Sequence, residues 1–86
     1  MRLLGRTWKN GHVLRDTVVE DTTDDTRTHK VFHCLHEVVM EFDLPEPIWL
    51  DSNIREFQKR AKTKFSQDSF VEDIPFDWLE IEIIEE

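Results

Sequence analysis

Three histidines are spaced so that one face of a helix would present them together. His29, His33 and His36 fall within about 60° of one another when the chain is wound at 3.6 residues per turn. Imidazoles one turn apart can share a zinc ion, and Glu37 is close enough to assist. The alternative is a solvated or dimer-lining polar face, since no H-E-x-x-H motif is present. The sequence therefore favours a polar face and no cofactor, and zinc on His29, His33 and His36 is the metal hypothesis to test.

The other reactive side chains form no catalytic pattern. Cys34 lies toward the apolar side of the same predicted helix, where a thiol packs as a small hydrophobic group. The acidic stretch EDTTDDT at 20–26 lacks the central glycine and the distal glutamate of an EF-hand loop. There is no G-x-S-x-G motif, and two glycines are too few for a phosphate-binding loop. The sequence thus favours a protein without enzymatic activity.

Charge is unevenly distributed along the 86 residues. Basic and acidic side chains balance over residues 1–65, whereas residues 66–86 hold eight acidic side chains and no basic one. The formal net charge of −8 disfavours nucleic acid and anionic lipid as partners, although REFQKRAKTK at 55–64 is a weak nucleic-acid footprint. One cysteine excludes an intramolecular disulfide, and no stretch suits a signal peptide or a membrane span. We expect a cytoplasmic protein with a protein partner and no membrane contact.

The dipeptide Asn10-Gly11 predicts a β-hairpin with strands at about 2–9 and 12–20. Both central residues of a type I′ turn need positive φ, which asparagine and glycine tolerate. A two-residue loop also fixes the register of the strands. The expected cross-strand pairs are Leu3 with Val18, Arg6 with Arg15, Thr7 with Leu14 and Trp8 with Val13.

The last ten residues, DWLEIEIIEE, predict a strand that is unusually acidic. Leu79, Ile81 and Ile83 alternate and should share one buried face. Glu80 and Glu82 then share the other face, where positive charge is needed nearby. Our hypothesis is that this strand lies beside the hairpin, so that its glutamates pair with arginines and select the register. The candidate arginines are Arg2, Arg6 and Arg15.

Two helices are expected between the hairpin and the last strand. Apolar residues at helical spacing predict the first helix at about 24–43, ended before Pro45 and Pro47. A shorter basic helix is expected at about 52–63. The candidate N-cap residues are Thr22, Thr23 and Asp24 for the first helix, and Asp51 and Ser52 for the second.

These elements predict a single α+β domain over residues 1–86. A small three-stranded, mainly antiparallel sheet would be covered on one face by the long helix and the shorter basic helix. The expected core is Leu3, Leu14, Val18, Val31, Leu35, Val38, Phe42, Ile54, Phe57, Leu79, Ile81 and Ile83.

The uncovered sheet face would then expose apolar side chains, which is typical of a binding surface. Its candidate residues are Trp8, Val13, Trp78 and Ile84. The function expected from this is a protein-interaction or self-associating module, with a homodimer as one form. The alternative is a metal- or small-ligand-binding protein that uses the histidine face.

Two stretches of the chain carry a resemblance. VVEDTTDDTRTHKVF, and then PIWLDSNIREFQKRAKTKFSQDSFVEDIPFDWLEIEIIEE, resemble a family of short uncharacterised bacterial proteins. The resemblance covers most of the chain and implies a bacterial, cytoplasmic, self-contained protein. It brings no activity, cofactor or functional residue with it.

Overall fold

A four-stranded antiparallel sheet and two helices make up the fold in the computed structural model, which describes residues 1–86. The α+β class is confirmed, but the prediction of three strands is wrong by one. The strands are β1 (Arg2–Lys9), β2 (His12–Glu20), β3 (Lys62–Phe65) and β4 (Trp78–Glu85), in the spatial order β2-β1-β4-β3. The helices are α1 (Arg27–Phe42) and α2 (Asp51–Arg60), and one 3₁₀ turn covers Gln67–Ser69.

The hairpin has the predicted bounds, but its register matches only next to the turn. Asn10 and Gly11 have φ of 53° and 77°, and Trp8 faces Val13 as expected. A β-bulge then leaves Leu14 without a partner. Every later pair is therefore shifted by one residue. The observed pairs are Leu3 with Val19, Leu4 with Val18, Gly5 with Thr17, Arg6 with Asp16 and Thr7 with Arg15.

The bulge moves side chains of β2 to the opposite face from the one predicted. Leu14 and Val18 are 53% and 44% exposed, so neither belongs to the core. Arg15 instead turns toward α1, where its guanidinium donates to the main-chain oxygens of Glu41 and Phe42 at 3.2 and 3.1 Å. The predicted contact of two arginines across the hairpin is thereby avoided, because Arg6 faces Asp16.

The last strand lies beside the hairpin, which confirms the central hypothesis. β4 pairs with β1 so that Ile81 faces Gly5 and Glu80 faces Arg6. Leu79 and Ile81 are fully buried. A second bulge near the end of β4 leaves Ile84 out of the ladder, and Ile83 is only half-buried.

The strand β3 replaces the predicted last turn of the second helix. Ala61 ends α2 in the left-handed region, with φ of 57° and its N–H donating to Phe57 O at 2.8 Å. Thr63 and Phe65 then point into the core with 1% and 0% exposure. At its other end, the second helix starts at Asp51, one residue before the predicted start. Its N-cap is Leu50, whose N–H donates to Asn53 Oδ1 at 3.0 Å.

The first helix begins three residues later than predicted. Thr26 is its N-cap, and its hydroxyl accepts from the His29 N–H at 3.2 Å. Of the three predicted caps, Thr23 is used elsewhere, because its N–H and hydroxyl donate to Asp21 Oδ1 in a separate turn.

Both helices pack on the same face of the sheet. A Cβ at Gly5 would lie 2.6 Å from Val38 Cγ1, so α1 sits directly on β1. The Asn53 amide donates to Thr63 Oγ1 at 2.9 Å, which ties α2 to β3. Gly5 and Thr63 both face Ile81 in the register, so they belong to one row on one face. The other face carries no covering element.

The core contains most of the predicted residues and three more phenylalanines. Ile54 is wrong in the prediction, since it is 42% exposed. Cys34 is buried, as expected of a packed thiol, and burial raises its pKa. Neither helix is long and apolar enough to cross a bilayer. The full buried apolar set is Leu3, Val31, Cys34, Leu35, Val38, Val39, Phe42, Phe57, Phe65, Phe70, Phe76, Leu79 and Ile81.

Candidate binding surface on the open face of the sheet

The centre of the open face is a carboxylate held by two donors. Glu80 Oε1 lies 3.1 Å from Arg6 Nη2 and accepts from Trp8 Nε1 at 3.2 Å. The Glu80 side chain is only 10% exposed, so this contact is largely removed from water. Glu82 lies farther from the same guanidinium, at 3.7 Å, and is 34% exposed. Of the three candidate arginines only Arg6 contacts these glutamates, because Arg15 turns toward α1 and Arg2 lies 3.8 Å from Glu85 instead.

A second source of positive charge comes from β3, a strand that the sequence did not predict. Lys64 faces Glu80 and Lys62 faces Glu82 across the β3–β4 pair. Lys64 Nζ also lies 4.5 Å from the centre of a Trp78 ring, within the range of a cation–π contact. The two glutamates thus stand between basic side chains on both neighbouring strands.

Three of the four predicted binding residues form one row across the sheet. Trp8 faces Val13 on one side and Trp78 on the other. The two indole rings lie 6.4 Å apart with an interplanar angle of 31°. Ile84 does not join them, because it lies near the opposite end of β4. The row is a continuous apolar stripe beside the charged centre of the face.

The two edges of the sheet differ sharply. β3 is four residues long and carries lysines, and the Lys64 carbonyl accepts from Asn53 Nδ2 at 2.8 Å. β2 is nine residues long, contains neither lysine nor proline, and makes no main-chain hydrogen bond beyond its pairing with β1. Short strands and edge lysines are the usual protection against edge pairing. Only the β3 edge is protected in this way.

The register shows which residues of β2 point their main-chain groups outward. Met1 and Asp21 exchange hydrogen bonds of 2.8 and 2.9 Å, so they form a hydrogen-bonded pair at the end of the β1–β2 ladder. Such pairs alternate along an antiparallel ladder. The N–H and C=O groups of Asp16, Val18 and Glu20 therefore face solvent at the outer edge.

No protein-family model, curated protein or solved structure matches this chain. The resemblance to short bacterial proteins thus stays a prediction.

The histidine face does not converge on one point. Each predicted zinc ligand uses Nδ1 to contact its own carboxylate, and no group of three or more His, Cys, Asp or Glu side chains is arranged to hold a metal ion. The zinc site stays a prediction without geometric support. The contacts are His29 with Asp25 at 2.9 Å, His33 with Asp21 at 2.9 Å and His36 with Glu46 at 2.6 Å.

One of these pairs has shifted proton affinities. The Asp21 carboxylate is almost fully buried, and hydrogen bonds from the Thr23 hydroxyl, the Thr23 N–H and His33 lower its pKa to about 2. The hydrogen bond to Asp21 in turn raises the pKa of His33. Asp21 directly follows β2, and His33 lies on α1. The protonation state of these two side chains therefore affects a contact that holds the end of the sheet to the first helix.

We expect the His33–Asp21 pair to stabilise the fold over a limited pH range. A carboxyl with a lowered pKa stabilises above its ordinary value near 4 and loses that effect as the pH falls toward 2. A histidine with a raised pKa stabilises below about pH 6.5 and loses that effect as the pH rises through its folded-state pKa. The melting temperature of His33→Gln should fall furthest below the wild type between about pH 4 and 6.5.

The matched control is His12→Gln, on β2 away from the three histidine–carboxylate pairs. Thermal melts of both variants by circular dichroism at pH 4, 5, 6, 7 and 8 make the comparison. A His33→Gln deficit that stays constant across this range would contradict the linkage.

Proposed function

We propose that this protein is an interaction module that self-associates through the outer edge of β2. The observation that carries the proposal is the long edge strand β2, whose regular part beyond the bulge, from Arg15 to Glu20, has no lysine or proline, in a sheet whose other edge is short and carries lysines. Adding a strand to such an edge is a common mode of protein recognition. The partner is a second copy of the chain, and the product is a dimer with one sheet running through both copies.

The arrangement of charges on β2 favours one register for such a dimer. In an antiparallel pair about a two-fold axis, directly opposite residues must have their side chains on the same face of the sheet. Their main-chain N–H and C=O groups must also both point toward the other copy or both point away from it. An axis through Asp16 would place two aspartates opposite each other, and an axis through Val18 would place Asp16 opposite Glu20. An axis through Thr17 avoids both repulsions. It pairs Asp16 with Val18 of the partner copy, twice, and leaves a Thr17 pair at the centre.

Exposed apolar side chains lie along the same strand. Val13, Leu14 and Val18 are 39%, 53% and 44% exposed. Val13 also begins the row that continues through Trp8 and Trp78. Burying these side chains would add hydrophobic stabilisation of about 25 cal/mol per Å² of apolar surface to the main-chain hydrogen bonds. An apolar stripe that reaches the edge thus supports the edge as the interface.

We expect Val18→Pro to weaken the dimer while the single chain stays folded. In the single chain the Val18 N–H points to solvent, so proline at this position removes no hydrogen bond of the β1–β2 ladder. In the dimer the same N–H would pair with Asp16 of the partner copy. The dissociation constant should rise at least about tenfold, equivalent to about 1.4 kcal/mol. Sedimentation velocity over a concentration series measures this change.

The control is Val18→Thr, which keeps the N–H and a β-branched side chain of similar shape. It should dimerise like the wild type. Added salt should strengthen the dimer, because each copy carries a net charge of −8 and the copies repel one another at low ionic strength. A wild-type chain that stays monomeric at millimolar concentration and moderate salt would refute the proposal, as would a dimer that Val18→Pro leaves intact.

A further inference from the structure

An apolar groove runs between the first half of α1 and α2, away from the open face of the sheet. Its volume is about 340 Å³, within the range of small-molecule sites. Val31 and Phe57 are buried at the groove, whereas Phe32 and Ile54 stay 49% and 42% exposed. Trp49 lies between the two sides. The centre of its ring is 6.0 Å from the centre of the Phe32 ring and 5.4 Å from that of the Phe57 ring. The groove therefore offers aromatic and aliphatic surface to a ligand without any rearrangement of the core.

Arg27 is the only charged residue that lines this groove. Its guanidinium carbon lies 5.8 Å from the centre of the Phe57 ring. Its Nε and Nη2 atoms donate to the Glu86 carboxylate at 3.2 and 3.5 Å, so the guanidinium already holds a carboxylate in a two-point contact. Nη1 is not used in that contact. The Arg27 guanidinium is thus a group that can bind a carboxylate at the edge of an apolar groove.

We propose that the groove binds a small amphipathic carboxylic acid, with its apolar part against Phe32 and Ile54 and its carboxylate on Arg27. Glu86 occupies the guanidinium in the free protein and competes with the ligand. The Arg27 and Glu86 side chains are 49% and 62% exposed, so their ion pair is weak and can be exchanged. A single cation beside a small apolar volume fits one such molecule rather than a polypeptide segment.

The carboxylate is expected to set the affinity, and a matched pair of ligands isolates its effect. 4-Phenylbutyrate carries the charge, and 4-phenylbutanamide has the same shape without it. Titrations followed by ¹H–¹⁵N correlation spectra give the affinity and also the location, since each of the three tryptophans contributes one indole N–H signal. The acid should bind at least about tenfold more tightly than the amide, because hydrogen bonds to charged groups are the stronger ones. The Trp49 indole signal should shift, and those of Trp8 and Trp78 should not.

Variants of the ion pair should act in opposite directions. Arg27→Gln should weaken binding of the acid about tenfold and leave the amide unchanged, whereas Glu86→Gln should strengthen binding of the acid by removing its competitor. Arg55→Gln is the control, because Arg55 is exposed on α2 and does not line the groove. Equal affinities for acid and amide, an unchanged affinity in Arg27→Gln, or shifts at Trp8 and Trp78 instead of Trp49 would each overturn the proposal.

Discussion

Phe65→Ala is expected to lower the free energy of unfolding by about 3–5 kcal/mol. Phe65 is fully buried, and its ring meets Trp49 edge to face at 5.0 Å between ring centres. Truncating a buried phenylalanine to alanine costs about 3–5 kcal/mol, because the lost burial adds to the cost of the remaining cavity. The whole stability of an 86-residue domain is only about 4–13 kcal/mol. The variant therefore loses a large share of it.

Phe32→Ala is the matched control, because it is the same substitution at another phenylalanine that contacts Trp49. Phe32 also contacts Trp49 edge to face, at 6.0 Å, but it is 49% exposed. Its truncation should cost about 1 kcal/mol or less, since little buried volume is lost. Urea unfolding followed by far-ultraviolet circular dichroism gives both values. Equal losses in the two variants would mean that Phe65 does not anchor the core as argued.

The importance of Phe65 could not be read from the sequence, because the strand that carries it has no clear signal. Lys62–Phe65 is only four residues long and directly follows a helix. The helix ends at Ala61 in the left-handed conformation, where glycine or asparagine would normally mark the end. The basic pattern therefore predicts a continuing helix. Tertiary packing against β4, rather than local preference, makes this segment a strand.

The candidate interface was also only partly predictable. The Asn10-Gly11 turn and the alternation of β4 correctly predicted the hairpin bounds and the row of Trp8, Val13 and Trp78. The bulge at Leu14 had no such signal, because the residue there is neither glycine nor unusual for a strand. Without the bulge, as in the predicted register, the Val18 side chain would lie on the core face. Its main-chain N–H would then point toward β1 instead of toward solvent. A turn fixes the register only until the first irregularity, and that irregularity defines the exposed edge.

At the charged centre of the open face, Glu80→Gln is expected to lower the free energy of unfolding by about 2 kcal/mol. The substitution keeps an oxygen that can accept from Trp8 Nε1 but removes the charge that pairs with Arg6 at 3.1 Å. Charged hydrogen bonds with little exposure to water are worth about 1.5–3 kcal/mol each. Glu82→Gln is the matched control, because Glu82 is 34% exposed and 3.7 Å from the same guanidinium. Its cost should stay within about 1 kcal/mol.

The decisive variant is the double substitution Arg6→Met with Glu80→Gln. Arg6 also buries its Nε without an acceptor, so the wild-type pair is incompletely satisfied. Removing both charges leaves neither member of the Arg6–Glu80 pair without its partner and also eliminates that unsatisfied donor, while Trp8 keeps its acceptor. Glu82, which also lies 3.7 Å from Arg6, keeps Lys62 opposite it on β3. The double variant should therefore be nearly as stable as the wild type, as found when other buried ion pairs are replaced together. Urea unfolding of the wild type, Arg6→Met, Glu80→Gln and the double variant should give a coupling energy of at least about 2 kcal/mol, since the double variant avoids the loss of Glu80→Gln. If the double variant lost the sum of the single losses, the two side chains would be acting independently. The charges would then be selecting neither the register nor the position of β4.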